Sequence, residues 1–261
     1  SMNLNFNVFE DQYLRVAAAQ QMARPRMDQM RAGYEASISQ SGCAGEPGPL
    51  WCGGGGNAKL KPWLANAYDV SYEWYFNTKA NNKGYLSVAL FYKDLQSYIY
   101  NADFQYDYVD APPPTNTQTP GVNYPSSSVG VINQPFNGQG GYMKGYELTA
   151  SLPFDALWAP LNGFGLLATY SSNSSDIEPF PGANQPIPGL SEDIYNASIY
   201  WERWGWQLRY NYRYRSEYRA ETRGFGGNLE VISIGAEAVQ DAQIQYTFTS
   251  GMLENFSLYL Q

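Results

Sequence analysis

Few side chains in this sequence have the chemistry of a catalytic site. Histidine is absent, which excludes a Ser-His-Asp triad, histidine-based metal sites and imidazole acid–base chemistry in this stretch. No segment has the pattern of a phosphate-binding loop or of a Gly-rich dinucleotide turn. The adjacent carboxylates Glu10-Asp11 and Glu192-Asp193 point apart on a strand, so we interpret them as solvated turns or strand entrances rather than as glycosidase pairs. We therefore predict no enzymatic activity and no cofactor.

The segment 205–218 alternates aromatic side chains with basic or amide side chains. Its aromatic residues fall on one parity of a strand, and Arg209, Arg213 and Arg215 fall on the other. Such a run could neutralise nucleic acid, but 16 Lys and Arg against 24 Asp and Glu give a net charge of −8, the wrong sign for a polyphosphate. We therefore predict no nucleic-acid partner. The run fits a strand between lipid and water, because an arginine facing lipid costs about 2–4 kcal/mol near the bilayer midplane.

Alternation of this kind recurs along the chain and predicts strands throughout. Aromatic residues make up 16% of the sequence and charged residues only 15%, which is well below the usual charged fraction of a soluble domain. No apolar run is long enough to predict a membrane-spanning helix. Several of the predicted strands have the length of about 9–11 residues that a tilted membrane strand needs. We predict about ten strands, near residues 3–9, 12–21, 65–77, 84–100, 141–152, 163–173, 192–203, 205–218, 237–249 and 252–261.

The connections between these strands alternate between short and long. Long connections, rich in Gly, Pro, Ser and Asn, occur at 22–64, 101–140, 174–191 and 219–236. Short turns on one side and long loops on the other predict an all-β fold, an antiparallel transmembrane β-barrel. Aromatic residues at the short-turn ends predict an interfacial girdle, and the alternative is a soluble β-protein with aromatic cross-strand pairs. The girdle residues are Trp74, Tyr75, Phe76, Tyr85, Trp201, Trp204 and Trp206.

The polar parity of these strands is predicted to face a water-filled or plug-filled lumen. Besides the three arginines at 209, 213 and 215, it includes Glu73 and Glu147. Because opposite charges on one face attract, these two carboxylates are natural partners of those arginines, and the alternatives are that the charged groups contact a plug or a ligand.

Five segments carry a resemblance to a known family. They resemble, in order, parts of the C-terminal half of the barrel of a TonB-dependent outer-membrane receptor, of the type common in Caulobacter- and Xanthomonas-like bacteria. The segments are YLRVAAAQQMARPRMDQM (13–30), GGNAKLKPWLANAYDVSYEWYF (55–76), LSVALFYKDLQSYI (86–99), MKGYELTASLPF (143–154) and IPGLSEDIYNASIYWERWGWQLRYNYRYRSEY (187–218).

The resemblance implies a place within a larger barrel. That barrel has about 22 strands around an N-terminal plug and imports a scarce nutrient with energy passed on by TonB. We expect residues 1–261 to be the C-terminal portion of the barrel, with the plug, the first barrel half and the last strand outside them. The expected location is the outer membrane of a Gram-negative bacterium, in contact with lipid and lipopolysaccharide.

The expected ligand is a small-molecule nutrient, most simply a carbohydrate or plant-derived compound, otherwise an iron-siderophore. Aromatic residues in the long loops are suited to stack on sugar rings, and the alternative is that they pack the loops together or touch lipopolysaccharide. The candidate substrate-binding residues are Trp51, Trp63, Tyr106, Tyr108, Tyr124, Phe136 and Phe225. An extracellular carbohydrate-binding β-protein and a passive porin-like barrel are the alternative functions.

The two cysteines lie within one long connection. Cys43 and Cys52 cannot complete a tetrahedral zinc site by themselves, and no histidine is present to help them. A disulfide fits an oxidising exterior, and two free thiols are the alternative.

Overall fold

The structure is a computed structural model that describes residues 1–110, 123–178, 182, 184–223 and 229–261. Antiparallel strands dominate it, and two short 3-10 turns, Phe154–Ala156 and Ala159–Leu161, are its helical elements. None of the helices in the described ranges has the length and apolarity needed to cross a bilayer. The strands are β1 (Met2–Phe9), β2 (Gln12–Ala23), β3 (Tyr34–Ser39), β4 (Gly42–Cys43), β5 (Glu46–Pro47), β6 (Leu50–Gly55), β7 (Trp63–Asn77), β8 (Lys83–Asp107), β9 (Val129–Pro153), β10 (Phe164–Ile177), β11 (Asp193–Arg203), β12 (Trp206–Arg215), β13 (Tyr218–Arg223), β14 (Leu229–Ile234), β15 (Glu237–Thr247) and β16 (Ser257–Leu260).

Ten of these strands follow one another in a single antiparallel meander. Their order is β1-β2-β7-β8-β9-β10-β11-β12-β15-β16, and β3 and β6 join the same sheet to make twelve strands. The ten strands of the meander correspond one by one to the ten predicted strands, which confirms the predicted all-β antiparallel fold. The hairpins β4–β5 and β13–β14 form separate two-stranded sheets.

Three of the predicted strands differ clearly in extent from the observed ones. The last strand begins at Ser257 rather than near 252, because Gly251 and Asn255 take φ values of +87° and +68° and form a turn. Strands β8 and β9 are each 25 residues long and extend far beyond the predicted 84–100 and 141–152. They pair with each other along nearly this whole length, and β6 pairs with the far part of β9. Pairing therefore continues a strand into segments that read as loop in the sequence.

The register places polar and apolar side chains on opposite faces of the meander. Directly opposed residues point to the same face of a sheet. One row across five strands contains Arg15, Ser71, Ala89, Glu147 and Ser171. The neighbouring row, on the opposite face, contains Val16, Val70, Leu90 and Tyr146. We call these the polar face and the apolar face.

The apolar face forms a band of limited height. On β7 it runs from Phe76 to Tyr68, about 26 Å of strand, and the next residue on this face is Asn66. On β11 it runs from Trp201 to Tyr195, and the next residue on this face is Asp193. Many of these side chains are exposed, Tyr68 by 52% and Ile199 by 51%. A band of this height agrees with the apolar belt of a membrane β-barrel.

The aromatic residues predicted to form the girdle at the short-turn ends are divided between the two faces of the sheet. Trp74 and Phe76 lie on the apolar face, with ring centroids 5.1 Å apart. Tyr75 and Tyr85 lie on the polar face. Tyr75 is adjacent in sequence to apolar-face residues, so its side chain points to the other face, and Tyr85 is paired with it across β7 and β8. The sequence run of aromatic residues conceals this division because it contains both parities.

Candidate functional site

All four long connections leave the meander on the same side, which we call the loop side; the short turns lie on the opposite, turn side. The connections between β2 and β7, β8 and β9, β10 and β11, and β12 and β15 are on the loop side. Most of the buried apolar side chains among the described residues also lie there. They are Leu60, Ile99, Tyr100, Ala102, Tyr108 and Ile132. The outer parts of β8 and β9, together with the long connections, therefore build a packed layer above the band.

A disulfide-bonded hairpin covers the far end of the β8–β9 pair. We call this segment, residues 34–55, the flap; it contains β3 to β6. Cys43 and Cys52 form a disulfide with their Cα atoms 6.2 Å apart. Strand β6 then runs parallel to β9, with Cys52 opposite Val131. The disulfide closes the flap on itself, and the pairing of β6 with β9 holds the flap against the β8–β9 pair.

Tyr108 is the centre of the contact between the flap and the β8–β9 pair. Its ring stacks on Trp51 at 5.8 Å and contacts Tyr34 at 5.8 Å and Tyr106 at 4.9 Å. Its hydroxyl donates to the Val131 carbonyl at 2.8 Å, and only 2% of the residue is exposed. Burial, followed by the neighbouring Tyr106 and Tyr34 hydroxyls, raises the pKa of Tyr108 to about 12. Tyr108 thus packs the loops, whereas Trp51 and Tyr106 are half-buried and keep part of their rings open.

A second row of rings connects the start of β7 with β8 and β9. Trp63 contacts Tyr98 at 4.8 Å, and Tyr98 contacts Tyr100 at 4.9 Å. Phe136 lies 5.9 Å from Tyr100 and 5.4 Å from Phe104. The structure therefore brings the predicted residues Trp63 and Phe136 together through rings that sequence reasoning missed. Tyr98, Tyr100 and Phe104 were concealed within or just after a long predicted strand.

The remaining predicted loop residues are placed differently. Tyr124 is half-buried, and the preceding Asn123 exchanges two hydrogen bonds with Gln40, at 2.7 and 2.9 Å. Phe225 lies outside the described residues. Tyr34 was not predicted as a site residue, because it lies in a loop segment with few aromatic residues and no periodic pattern.

Charged side chains on the polar face pair locally. Arg213 lies 3.6 Å from Asp241, and Arg209 lies 3.5 Å from Glu202. Arg215 donates to the Ser191 hydroxyl at 2.7 Å and lies 3.7 Å above the Tyr218 ring. These partners lie on the two strands next to β12, just before β11, or at the start of β13.

The predicted pairing of Glu73 and Glu147 with these arginines is wrong. Glu73 instead forms a two-point ion pair with Arg15, with both N–O distances 3.0 Å. Glu73 and Arg213 belong to one cross-strand row, but five strand spacings separate them, about 24 Å. Within the described ranges Glu147 has no ion-pair partner. Nor does any group of three His, Cys, Asp or Glu side chains there have an arrangement that could hold a metal ion.

Comparison with protein families identifies the fold's family. The family described as TonB dependent receptor-like, beta-barrel, matches residues 1–261, the whole sequence. The chain belongs to this family. The family is one of transport receptors in the outer membrane of Gram-negative bacteria. Comparison with curated proteins finds no match.

Solved structures of iron receptors share the fold of this receptor barrel. The ferric enterobactin receptor of Pseudomonas aeruginosa in complex with enterobactin is 14% identical with a TM-score of 0.64, and the match covers 94% of this chain and 32% of that one. The siderophore receptor PirA of Acinetobacter baumannii is 14% identical with a TM-score of 0.61, covering 94% and 34%. The FrpB iron transporter of Neisseria meningitidis is 12% identical with a TM-score of 0.52, covering 94% and 31%. The chain thus spans about a third of the length of each.

Proposed function

We propose that this chain forms part of an outer-membrane receptor that takes up a scarce nutrient with energy supplied through TonB. Family membership over residues 1–261 is the observation that carries this proposal. The matched structures extend beyond the third that the chain covers, and we assign the TonB contact to an N-terminal plug in that remainder. We assign no catalytic role, and the Caulobacter- and Xanthomonas-like type remains a prediction.

The two faces of the meander support a position across the membrane. We propose that the apolar face contacts lipid, with lipopolysaccharide at its loop-side rim. Arg209, Arg213, Arg215, Glu73 and Glu147 then face the lumen, where water or protein groups can solvate them. A charged residue on the lipid face would cost several kcal/mol near the midplane, which agrees with the observed segregation.

The charge of the outer β8–β9 segment favours a neutral substrate. Every charged residue between Lys93 and Lys144 is an aspartate. This stretch includes the outer halves of β8 and β9 and the connection between them. An anionic ferric chelate approaching these strands would be repelled, whereas a neutral carbohydrate would not. Partly open rings such as Trp51, Tyr106 and Trp63 provide apolar faces on which a sugar ring can stack. We therefore propose a carbohydrate or a related plant-derived compound as the substrate.

An iron-siderophore is the second candidate. It is favoured by the iron and siderophore ligands of the similar structures, although 12–14% identity relates their folds and not their substrates. A passive porin and an extracellular carbohydrate-binding protein gain no support from the family match.

Uptake by the full-length receptor in whole cells tests the proposal. We expect TonB-dependent uptake of at least one neutral oligosaccharide from a panel of maltohexaose, cellohexaose and xylohexaose. Trp51→Ala should raise the half-saturation concentration about threefold or more, because it removes one stacking surface. Trp204→Ala is the matched control, since that tryptophan lies in a turn-side hairpin and is 70% exposed. Uptake of ferric siderophores with none of the oligosaccharides would favour the second candidate.

A further inference from the structure

Arg203 places a positive charge on the apolar face, at its turn-side end. It is opposite Trp206, which is opposite Tyr246, and it lies two residues after Trp201 on β11, so all four side chains share this face. The apolar band of β11 ends at Trp201, and Arg203 lies about 7 Å of strand beyond it. The polar headgroup layer of a bilayer is about 5–8 Å thick on each side of the hydrocarbon. A band that spans the hydrocarbon therefore places Arg203 at the level of the headgroups.

The guanidinium of Arg203 is held by an aromatic ring and not by a carboxylate. Its Cζ atom lies 4.3 Å from the ring centroid of Trp204. Trp204 takes a φ of +53° in the turn between β11 and β12, and its ring centroid is 6.2 Å from that of Trp201. Stacking uses the flat face of a guanidinium and leaves its in-plane N–H donors available. Arg203 is thus positioned with its donors unused.

The arginines of the polar face differ in this respect. Arg15, Arg209 and Arg213 each form an ion pair at 3.6 Å or less. Within the described part of the chain, Arg203 has no ion-pair partner and its guanidinium donates no hydrogen bond. Its strand neighbour Glu202 points to the other face and pairs there with Arg209.

The rest of a larger barrel would not supply the missing acceptor. Further strands can join the meander only at its outer edges, β1 and β16. Strand β16 is three strand spacings from β11, about 14 Å, and the next strand beyond it would be about 19 Å away. A plug inside the barrel would lie against the polar face, on the other side of the sheet. An acceptor for Arg203 therefore comes from outside the barrel wall.

A phospholipid headgroup matches this position in charge and in polarity. With the long loops outside the cell, the turn side faces the periplasm, where the leaflet of an outer membrane consists of phospholipids. Two oxygens of a phosphodiester can accept two parallel N–H groups of a guanidinium. Tryptophan rings favour the same level of the bilayer, and Trp206 packs on Tyr246 at 4.7 Å, where the acyl chains begin. A free anion in water would make no use of these apolar rings.

We propose that Arg203, stacked on Trp204 and flanked by Trp201 and Trp206, binds the headgroup phosphate of an anionic phospholipid in the periplasmic leaflet. We call these four residues the lipid site. This inference rests on the proposed position across the outer membrane and adds a specific lipid contact to it. The lipid site faces away from the lumen, so Trp204→Ala weakens the lipid contact and leaves the half-saturation concentration of substrate uptake unchanged.

Binding of lipid to the purified full-length receptor tests the lipid site. The delipidated receptor in detergent is titrated with dioleoylphosphatidylglycerol, and native mass spectrometry gives the dissociation constant of the first lipid bound. Arg203→Gln should raise this constant about fivefold, the scale of one basic side chain near an anionic membrane surface. Arg213→Gln is the matched control, because it removes the same charge from the neighbouring strand on the opposite face and should leave the constant unchanged. Heat-modifiable migration on a gel verifies that both variants are folded.

Two further probes separate the lipid from related ligands. Dioleoylphosphatidylcholine has the same acyl chains and no net charge, and it should bind the wild-type receptor more weakly. Inorganic phosphate should not displace dioleoylphosphatidylglycerol, because it lacks the acyl chains that contact the tryptophan rings.

Other results would overturn the lipid site. Equal constants for the wild type and Arg203→Gln would show that Arg203 holds no headgroup and would favour a carboxylate of a periplasmic protein as its partner. Equal losses in Arg203→Gln and Arg213→Gln would reveal a general effect of charge. Equal binding of the two lipids would mean that only acyl chains are bound, and displacement by inorganic phosphate would indicate a small-anion site.

Failure of the lipid site and failure of the proposed function can be told apart. Each of the results that overturn the lipid site leaves uptake of a nutrient unaffected. A wild-type receptor that binds dioleoylphosphatidylglycerol as expected and shows no TonB-dependent uptake would refute the proposed transport alone. Absence of the full-length receptor from outer-membrane fractions would refute its position across the membrane and the lipid site together.

Discussion

At the scale of single residues, the face on which a side chain lies matters more than its type. Tyr72 and Tyr75 are two tyrosines on one strand with nearly equal exposure, 40% and 41%. Tyr72 lies in the apolar band, and Tyr75 lies beside an ion pair on the polar face. The same principle separates Tyr212, opposite Ala197, from Asn211, opposite Ser198. The effect of a substitution therefore depends on parity.

Tyr212→Arg should lower outer-membrane assembly of the full-length receptor much more than Asn211→Ser does. Tyr212 belongs to the apolar face, where an arginine costs about 2–4 kcal/mol near the midplane. Asn211 is on the polar face, where it shares a hydrogen bond of 2.6 Å with Ser198, and serine is a common neighbour there. The measurement is the amount of heat-modifiable receptor in outer-membrane fractions. Equal yields of the two variants would contradict a lipid-facing Tyr212.

The flap should loosen at high pH because of Tyr108. Burial raises its pKa to about 12, above the ordinary value of about 10. The protonated phenol therefore stabilises the flap fully below about pH 10, and this contribution is lost as the pH rises through about 12. Limited proteolysis of the intact protein can be carried out at a series of pH values from about 9 to about 12. The rate of cleavage within residues 34–55 should rise over this range.

Tyr108→Phe provides the control for this transition. It removes the titrating group and the 2.8 Å hydrogen bond to Val131 while keeping the ring contacts. We expect the variant to be somewhat more easily cleaved at neutral pH and to show a weaker rise at alkaline pH. An unchanged rise would assign the transition to other groups.

At the scale of elements, the loop side is held together by close backbone approach. Gly53 of β6 sits where an added Cβ would lie 2.4 Å from the Glu35 carbonyl oxygen and 2.4 Å from the Tyr108 hydroxyl. Gly54, the next residue, would bring a Cβ no nearer than 3.8 Å to Asn133. Two adjacent glycines of one strand thus differ sharply in whether they can be replaced by a residue with a side chain.

Gly53→Ala should therefore disturb the flap, and Gly54→Ala should not. In the first variant either Tyr108 or the β3–β6 pairing must shift, which costs about 1–3 kcal/mol as overpacking does. The second places its methyl group in ordinary contact distance. Hydrogen exchange of the flap amides in the intact protein measures the difference. Equal exchange in both variants would mean that the flap is not packed on Tyr108 in this way.

At the scale of the whole molecule, the meander has two outer edges. Strand β1 pairs only with β2, and β16 pairs only with β15, within the described residues. Unpaired backbone groups inside hydrocarbon cost several kcal/mol each. The sheet could close on itself only with a much smaller diameter than a barrel of about 22 strands has.

We therefore expect residues 1–261 in isolation neither to insert stably into lipid nor to conduct solutes. The measurement is refolding into lipid vesicles, followed by a heat-shift gel and a solute-leak assay. The full-length receptor, refolded in parallel, is the control for the lipid and the protocol. A heat-modifiable, pore-forming product of residues 1–261 would show that these strands close into a small barrel on their own.

The sequence by itself determined the order and faces of the ten meander strands and the side on which the long loops lie, but not the full lengths of β8 and β9 or the short strands within the long connections. The alternation of polar and apolar residues is a local pattern of a few residues. Every membrane strand shows it, because lipid and water lie on opposite faces of the sheet. Thus the order of the ten-strand meander and the polar positions of Arg209, Arg213 and Glu73 could be predicted. Five segments of the sequence, in the right order, were enough to indicate the family.

Only the tertiary structure decided which residues meet. Parity places Glu73 and Arg213 on one face, but the number of strands between them decides that Glu73 pairs with Arg15 instead. The packing of the flap on Tyr108 depends on a parallel pairing of β6 with a strand far away in sequence. Contacts of this kind depend on strand register and on pairing between distant segments, which no local sequence pattern encodes. The proposed substrate-binding surface on the loop side consists of such contacts.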